Sequence, residues 1–207
     1  MPDEQFWRER YNQLGEYSVG PGNTQNESDL EEHRQHFLRA ALPWLGQLQG
    51  PVLDFGCGIG RWVMDLPRPY LGLDLLPEYI EYCRSKYTSL SDVSFQLSSK
   101  LSEIQNESFS SVFTVVVLQH IVEKDLRNEV IKQFHRILKK DGLLISVEWA
   151  PGQRNYDWCT EVSDRDWGRW FKAKAVSQVV ENGRWHTVWL GKKSNNMISR
   201  FKTYLGK

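Results

Sequence analysis

Between Val52 and Trp62 the chain reads VLDFGCGIGRW, an apolar run that carries one carboxylate, Asp54, and then places glycine at 56, 58 and 60. Glycine adopts backbone conformations closed to other residues and leaves no Cβ between main chain and ligand. Three of them directly after a buried strand mark a place where a small molecule lies against backbone. Spacing excludes two pyrophosphate binders. A dinucleotide loop needs glycine at 61, where Arg61 stands, and a phosphate loop needs Gly-Lys-Ser/Thr, which does not follow. Asp54 would repel phosphates; it suits a ligand that carries a cation near the loop.

A second acid, Asp74, closes the run YLGLD that starts at Tyr70. At the end of a neighbouring strand, such a carboxylate can take both hydroxyls of a ribose. A ribose, a cationic amino-acid end and no phosphate describe S-adenosylmethionine. Taken in order over about residues 45–150, VLDFGCGIG, LGLD, VVVLQHI and ILKKDGLLISVE resemble the class I S-adenosylmethionine-dependent methyltransferases. The resemblance implies a Rossmann-like α/β fold: a seven-stranded, mostly parallel sheet with helices on both faces and a C-terminal antiparallel hairpin. It also implies a cofactor site of Asp54, Gly56, Cys57, Gly58, Gly60, Asp74, Leu75, Ser99 and Leu118. In that site the glycines approach the methionine part, Asp54 orders the loop, Asp74 holds the ribose and Leu75 lies against the adenine. Two positions depart from the commoner pattern. QLSSK stands where many relatives carry an acid after the third strand, so Ser99 or Ser98 serves there, and Phe109-Ser110 replaces Phe-Asp before the fourth strand.

Methyl transfer from a sulfonium is an in-line displacement, which asks for an aligned acceptor, excluded water and sometimes removal of a proton. The acceptor belongs beyond strands four and five. His120 is the general-base candidate there, since imidazole ordinarily titrates near 6.5; Glu148 is the second. The other four histidines read as surface or strand residues. VVVLQHI carries no carboxylate cluster for a metal, no Asn- or Asp-Pro-Pro-aromatic motif for a flipped base, and no cysteine for attack on cytosine. Trp149, Trp158, Trp167 and Trp170 are expected to wall an acceptor pocket for a flat, sugar-like or cationic small molecule. Trp185 and Trp189 are expected in the core.

These groups need strands that end together. Val52–Phe55, Tyr70–Asp74, Val93–Leu97, Ser111–Val117 and Leu143–Trp149 read as strands, with helices at Ser28–Leu45, Ile59–Leu66, Pro77–Tyr87 and Asp125–Leu138 between or before them. Ser28 with Glu31 reads as a capping box, and Lys139 to Gly142 as a helix C-cap. Lys172–Glu181 and Arg184–Lys193 flank Asn182-Gly183, a hairpin signal. The expected division is a flap over 1–27, in which the helix Phe6–Tyr11 and the irregular loop Ser18–Asn26 offer Trp7, Tyr11 and Tyr17. A cofactor-binding core over 28–150 follows, then an acceptor-pocket segment over 151–171, a hairpin over 172–193 and a basic tail over 194–207, all within one domain.

Composition narrows the partners. Lys plus Arg equals Asp plus Glu at 26 each, so no overall field favours nucleic acid, although Glu181 is the only acid from Lys172 onward. Three scattered cysteines and no long apolar run point to a cytoplasmic protein with neither disulfides nor a membrane span. The expectation is an enzyme that methylates oxygen or nitrogen of a small molecule without metal. The alternatives are a protein or peptide methyltransferase, a non-catalytic cofactor-binding subunit and, from the basic tail alone, an RNA enzyme.

Overall fold

A computed structural model describes residues 4–20, 24, 26–152, 156–168, 170–181 and 183–193. Five parallel strands, β1 (Val52–Phe55), β2 (Tyr70–Asp74), β3 (Val93–Leu97), β4 (Phe109–Val115) and β5 (Leu138–Trp149), are followed by β6 (Phe171–Glu181) and β7 (Arg184–Lys193). The sheet order is β3-β2-β1-β4-β5-β7-β6, with β7 antiparallel to both neighbours. Because successive side chains leave a strand on opposite faces, Val52 joins one apolar cluster and Leu53 the other. Phe37, Ala41 and Leu45 of α2 (Glu27–Leu45) and Ile80 and Cys83 of α3 (Pro77–Lys86) cover the first face. Ile131, Phe134 and Ile137 of α4 (Lys124–Ile137) cover the second. The chain leaves β1 toward β2 and β3, then returns to β4 on the other side of β1. That reversal opens a crevice at the carboxyl ends of β1 and β4, where ligands of such sheets bind.

Several local expectations are corrected. Ile59–Leu66 is a run of turns and not a helix: Gly60 has φ +77°, and its N–H and that of Val63 reach back only three residues. The cap of α2 is Asn26, whose side chain accepts from Asp29 N, so Ser28 lies within the helix. β4 starts earlier than expected, at Phe109. No cap forms at Lys139–Gly142, because Leu138 is already extended and β5 starts there, bending at Asp141 with φ +62°. The irregular loop assigned from Ser18 gives way in part to a 3-10 turn at Gly15–Val19 that follows α1 (Glu4–Leu14). Asn182 and the basic tail lie outside the described residues. Among the described residues no helix is long and apolar enough to cross a membrane.

The short helix α5 (Asp164–Trp167) had no counterpart in the pattern of apolar residues. It is tied to α4 by an ion pair: Arg127 Nη2 and Asp166 Oδ1 lie 2.9 Å apart with both side chains buried. Arg127 Nη1 also donates to Ile121 O at 2.8 Å, and Asp166 Oδ2 accepts from Ser163 N, closing a capping box. One guanidinium thus joins α4, α5 and the segment that leaves β4. Breaking a buried pair from one side leaves an uncompensated charge and costs about 3–5 kcal/mol. Arg127→Met is expected to lower the urea unfolding free energy by about 3 kcal/mol. Adding Asp166→Asn, which keeps the cap but removes the charge, is expected to restore most of it.

Candidate active site

Backbone geometry dictates the loop after β1. Gly56, Gly58 and Gly60 have φ of +75°, +52° and +77°, a region that strains any residue with a Cβ. Space dictates it a second time. A Cβ on Gly56 would lie 2.2 Å from Val117 Cγ2, on Gly58 2.8 Å from Val19 Cγ1, and on Gly60 2.7 Å from Tyr87 Cε2. The loop is therefore pressed by the segment after β4, by the N-terminal turn and by Tyr87, the residue that caps α3. Its start is pinned to β2, since Gly56 N and Cys57 N both donate to Leu73 O, at 2.7 and 3.0 Å.

Asp74 completes the junction. Its Oδ2 accepts from Gly58 N at 2.8 Å and its Oδ1 from Leu76 N at 3.1 Å. Burial pushes this carboxyl above its ordinary range, and the backbone donors at Leu76 and Gly58 oppose that. Leu75 N also bears on this carboxylate, whose roughly four lone-pair sites exceed its three backbone donors. Asp54 sits differently: it is buried within the sheet, and its Oδ2 accepts from Tyr70 Oη at 2.6 Å. Burial raises its pKa to about 7. Asp54 thus braces β1 against β2 and does not stand open to a ligand cation. The thiol of Cys57 is likewise buried, with Sγ 3.7 Å from Gly58 O.

The turn after β4 faces the glycine loop, and it is strained. Val116 has φ +59°, an outlier for a β-branched residue that costs of order 1–3 kcal/mol. Glu148 holds it in place. Its Oε2 accepts from Val117 N and Gln119 N, both at 3.1 Å, and its Oε1 accepts from Ser146 Oγ at 3.1 Å. Gln119 is locked in turn, since its Oε1 accepts from Trp149 N at 2.9 Å and its carbonyl from Thr160 N at 2.8 Å. Glu148 is wholly buried, with Oε2 on two backbone N–H groups and Oε1 on the Ser146 hydroxyl, an arrangement that positions the turn. Leu118 is also wholly buried, among Ile131 and Phe134, so its side chain offers no surface to a ligand.

His120 ends this turn. Its Nδ1 lies 3.1 Å from Trp158 O. A carbonyl only accepts, so Nδ1 carries the proton of the neutral ring and Nε2 keeps its lone pair. Burial lowers the pKa of the imidazole, and the Trp158 carbonyl opposes this only in part. The edge of Trp7 meets the ring at 5.3 Å and Trp158 stacks on it at 5.9 Å. Trp149, Tyr156 and Trp158 form one near-parallel group with centroids 5.5–6.4 Å apart. Of the four expected wall residues, Trp149 and Trp158 stand here. Trp167 is wholly buried in the core and Trp170 packs 5.8 Å from His135. Trp189 is core as expected, but Trp185 is half exposed. His33, assigned to the surface, is buried in α2 with its Nδ1 2.8 Å from Arg61 Nη1.

The N-terminal segment closes over this end of the sheet by polar contacts; α1 itself has no buried residue. Arg8 Nε donates to Glu78 at 2.9 Å, Ser18 Oγ meets Tyr79 Oη at 2.7 Å, Tyr82 bonds Glu16, and Tyr11 packs edge-on against Tyr79. On the adenine side of the expected site, Leu75 is exposed, and Ser99 lies exposed on a 3-10 turn, Ser98–Glu103. The residues that sequence reasoning missed are Val116, Gln119, Val19, Tyr70 and Tyr156. Only Tyr156, an aromatic between two expected wall residues, left a usable signal.

Burial lifts Glu148 to about 7 from an ordinary value of 4.5, so the folded state binds its proton more tightly than the unfolded chain. Stability from this group is then present at low pH and lost as pH rises from about 4.5 through about 7. Glu148→Gln, which still accepts from Val117 N and Gln119 N, is expected to gain about 2–3 kcal/mol on the native chain between pH 5 and 8. Paired urea titrations across that range check it.

Residues 52–142 match the family described as Methyltransferase domain. Among curated proteins, the human protein named "Probable tRNA methyltransferase 9B" is 23% identical over 135 residues, which is 64% of this chain but 29% of that protein. The chain thus spans under a third of the relative's length. Among solved structures, magnesium protoporphyrin IX methyltransferase from Synechocystis PCC 6803 with bound SAM superposes with a TM-score of 0.68 at 15% identity, covering 94% of this chain and 98% of that one. The N-methyltransferase NodS from Bradyrhizobium japonicum WM9, with S-adenosyl-l-homocysteine, gives 0.68 at 12% identity, over 91% and 98%. The segment that matches in sequence runs from β1 to the start of β5, while the superposition takes in nearly the whole chain. Over residues 52–142 the chain is thus similar in sequence to a methyltransferase domain, and its sheet is folded like these two solved methyltransferases.

Proposed function

We propose that the chain transfers a methyl group from S-adenosylmethionine to oxygen or nitrogen of a small-molecule acceptor by direct displacement, with His120 taking the acceptor's proton. The observation that carries this is His120 itself, a neutral imidazole with Nε2 unpartnered among the described residues, set between Trp7 and Trp158. The cofactor fits the residues beside it. Three positions without Cβ line the loop, and the Asp74 carboxylate, with three backbone donors on about four lone-pair sites, keeps acceptor capacity for a ribose hydroxyl. In this reading Gly56, Gly58 and Gly60 hold the methionine part, Asp74 the ribose, Leu75 the adenine face, and Ser98 or Ser99 the adenine edge. When bound, S-adenosylmethionine supplies an electrophilic methyl on a sulfonium.

The chain's own residues do the rest. Glu148 holds the turn that aims His120, and the Trp7 and Trp158 rings exclude water around the imidazole. Residues 28–150 form the cofactor core, 1–27 a flap over it and 151–171 the acceptor side. A second reading, a nucleoside of tRNA as acceptor, has the curated relative in its favour. Screening small alcohols, acids and amines beside bulk tRNA for release of S-adenosylhomocysteine separates them. Turnover on tRNA alone would replace the first reading with the second.

His120→Ala is expected to lower kcat by about a hundredfold or more, the usual worth of a positioned base. S-adenosylhomocysteine affinity by calorimetry should hold within about threefold, since His120 is assigned to the acceptor. The base acts when neutral, so kcat/KM should rise with pH along a limb centred below the ordinary 6.5, and that limb should vanish in the variant. Asp74→Ala should weaken S-adenosylhomocysteine by roughly tenfold or more through loss of the ribose contacts.

A further inference from the structure

Arg184, the first residue of β7, has no catalytic duty in the account above. Its guanidinium carbon lies 5.2 Å from the Trp149 ring, 5.6 Å from Tyr156 and 5.8 Å from Trp158. Nearly equal distances to three rings hold a cation by their quadrupoles without using its N–H groups. Those groups are unspent: the Arg184 guanidinium makes no hydrogen bond or ion pair among the described residues, although it is exposed. Other arginines spend their N–H groups within the protein, Arg8 on Glu78, Arg34 on Asp65 and Arg136 on Asn106. The same cluster holds another idle donor, the buried indole N–H of Trp149. Trp158 links the cluster to His120, on which it stacks at 5.9 Å.

A planar fork of N–H donors held on aromatic faces matches a carboxylate or phosphate two bonds at a time. We infer that Arg184, with Trp149, Tyr156 and Trp158, is the subsite for an oxyanion of the acceptor, so that the acceptor is a small molecule bearing a carboxylate or phosphate. The inference rests on the small-acceptor reading, with the nucleophile at His120 and the anion one ring away. Arg184 then acts on specificity: it selects and orients the acceptor without touching the transferred methyl.

The test uses the full chain saturated with S-adenosylhomocysteine, and benzoate, phenyl phosphate and benzyl alcohol as probes, with affinities from ligand-observed NMR. At least one of the two anions should bind about fivefold or more tighter than the neutral alcohol, and whichever is tighter names the source of the oxyanion. Arg184→Gln should abolish that preference and Arg184→Lys retain part of it, while S-adenosylhomocysteine affinity stays within about twofold in both. Equal binding of acid and alcohol by the native chain, or a preference that survives Arg184→Gln, overturns the subsite. Binding of an RNA stem-loop through Arg184 with neither acid bound also overturns it, and moves the contact to a nucleic-acid phosphate. A native chain that fails to bind S-adenosylhomocysteine at all would sink the methyltransferase reading instead, before the probes are added.

Discussion

The carboxylate of Asp74 accepts one N–H from the loop after β1 and one from the loop after β2, and the rest of the site follows from that. A glycine loop with three left-handed residues has little of its own to hold a shape. It makes few local hydrogen bonds, and its low-barrier backbone samples conformations that other residues cannot. The bond from Gly58 N to Asp74 spans two parallel neighbours, so the loop inherits the register of the sheet. Asp74 can do this only because it ends a strand that pairs residue for residue with β1.

On the other side of the crevice the same device recurs. Glu148, near the end of β5, accepts two N–H groups from the turn after β4 and holds a strained valine within it. Each buried carboxylate is pushed toward its protonated form by burial and pulled back by the backbone donors it serves. The two held segments meet where Gly56 faces Val117, which is why no Cβ fits at 56. Two carboxylates that could be taken for catalytic acids are, on this geometry, the supports of a preorganised cleft. On the reading proposed above, the proton transfer is left to His120, beside Trp158.

The strands, though not the order in which they pair, were legible in the sequence because β-branched and apolar runs, separated by glycine, proline and polar stretches, have few other uses. The glycine loop and Asp74 were legible because their spacing follows from strand geometry. Failures came where a local signal met a long-range contact. Ile59 to Leu66 carries helical spacing, but Gly60 is packed against Tyr87 in a left-handed conformation and divides the segment into turns. Lys139 to Gly142 resembles a cap, yet pairing of Leu138 with Phe109 draws those residues into β5. The sequence ranked His120 above Glu148 on ordinary pKa alone; burial and the direction of hydrogen bonds, which separate them by surroundings, are not written in it. The clustering of Trp149, Tyr156 and Trp158 under Arg184 joins residues that lie far from it along the chain across the β5–β7 pairing, which no spacing reveals.

The account stands on a claim about one ligand: backbone without side chains beside β1, held by an acid that has lone pairs to spare, receives an adenosyl group carrying a sulfonium. The most direct measurement is calorimetric titration of the purified chain with S-adenosylmethionine and, separately, with a nicotinamide dinucleotide. Saturable binding of the first at one per chain, with no heat from the second, is the predicted result. Tight binding of the dinucleotide by a folded chain that ignores S-adenosylmethionine would contradict it.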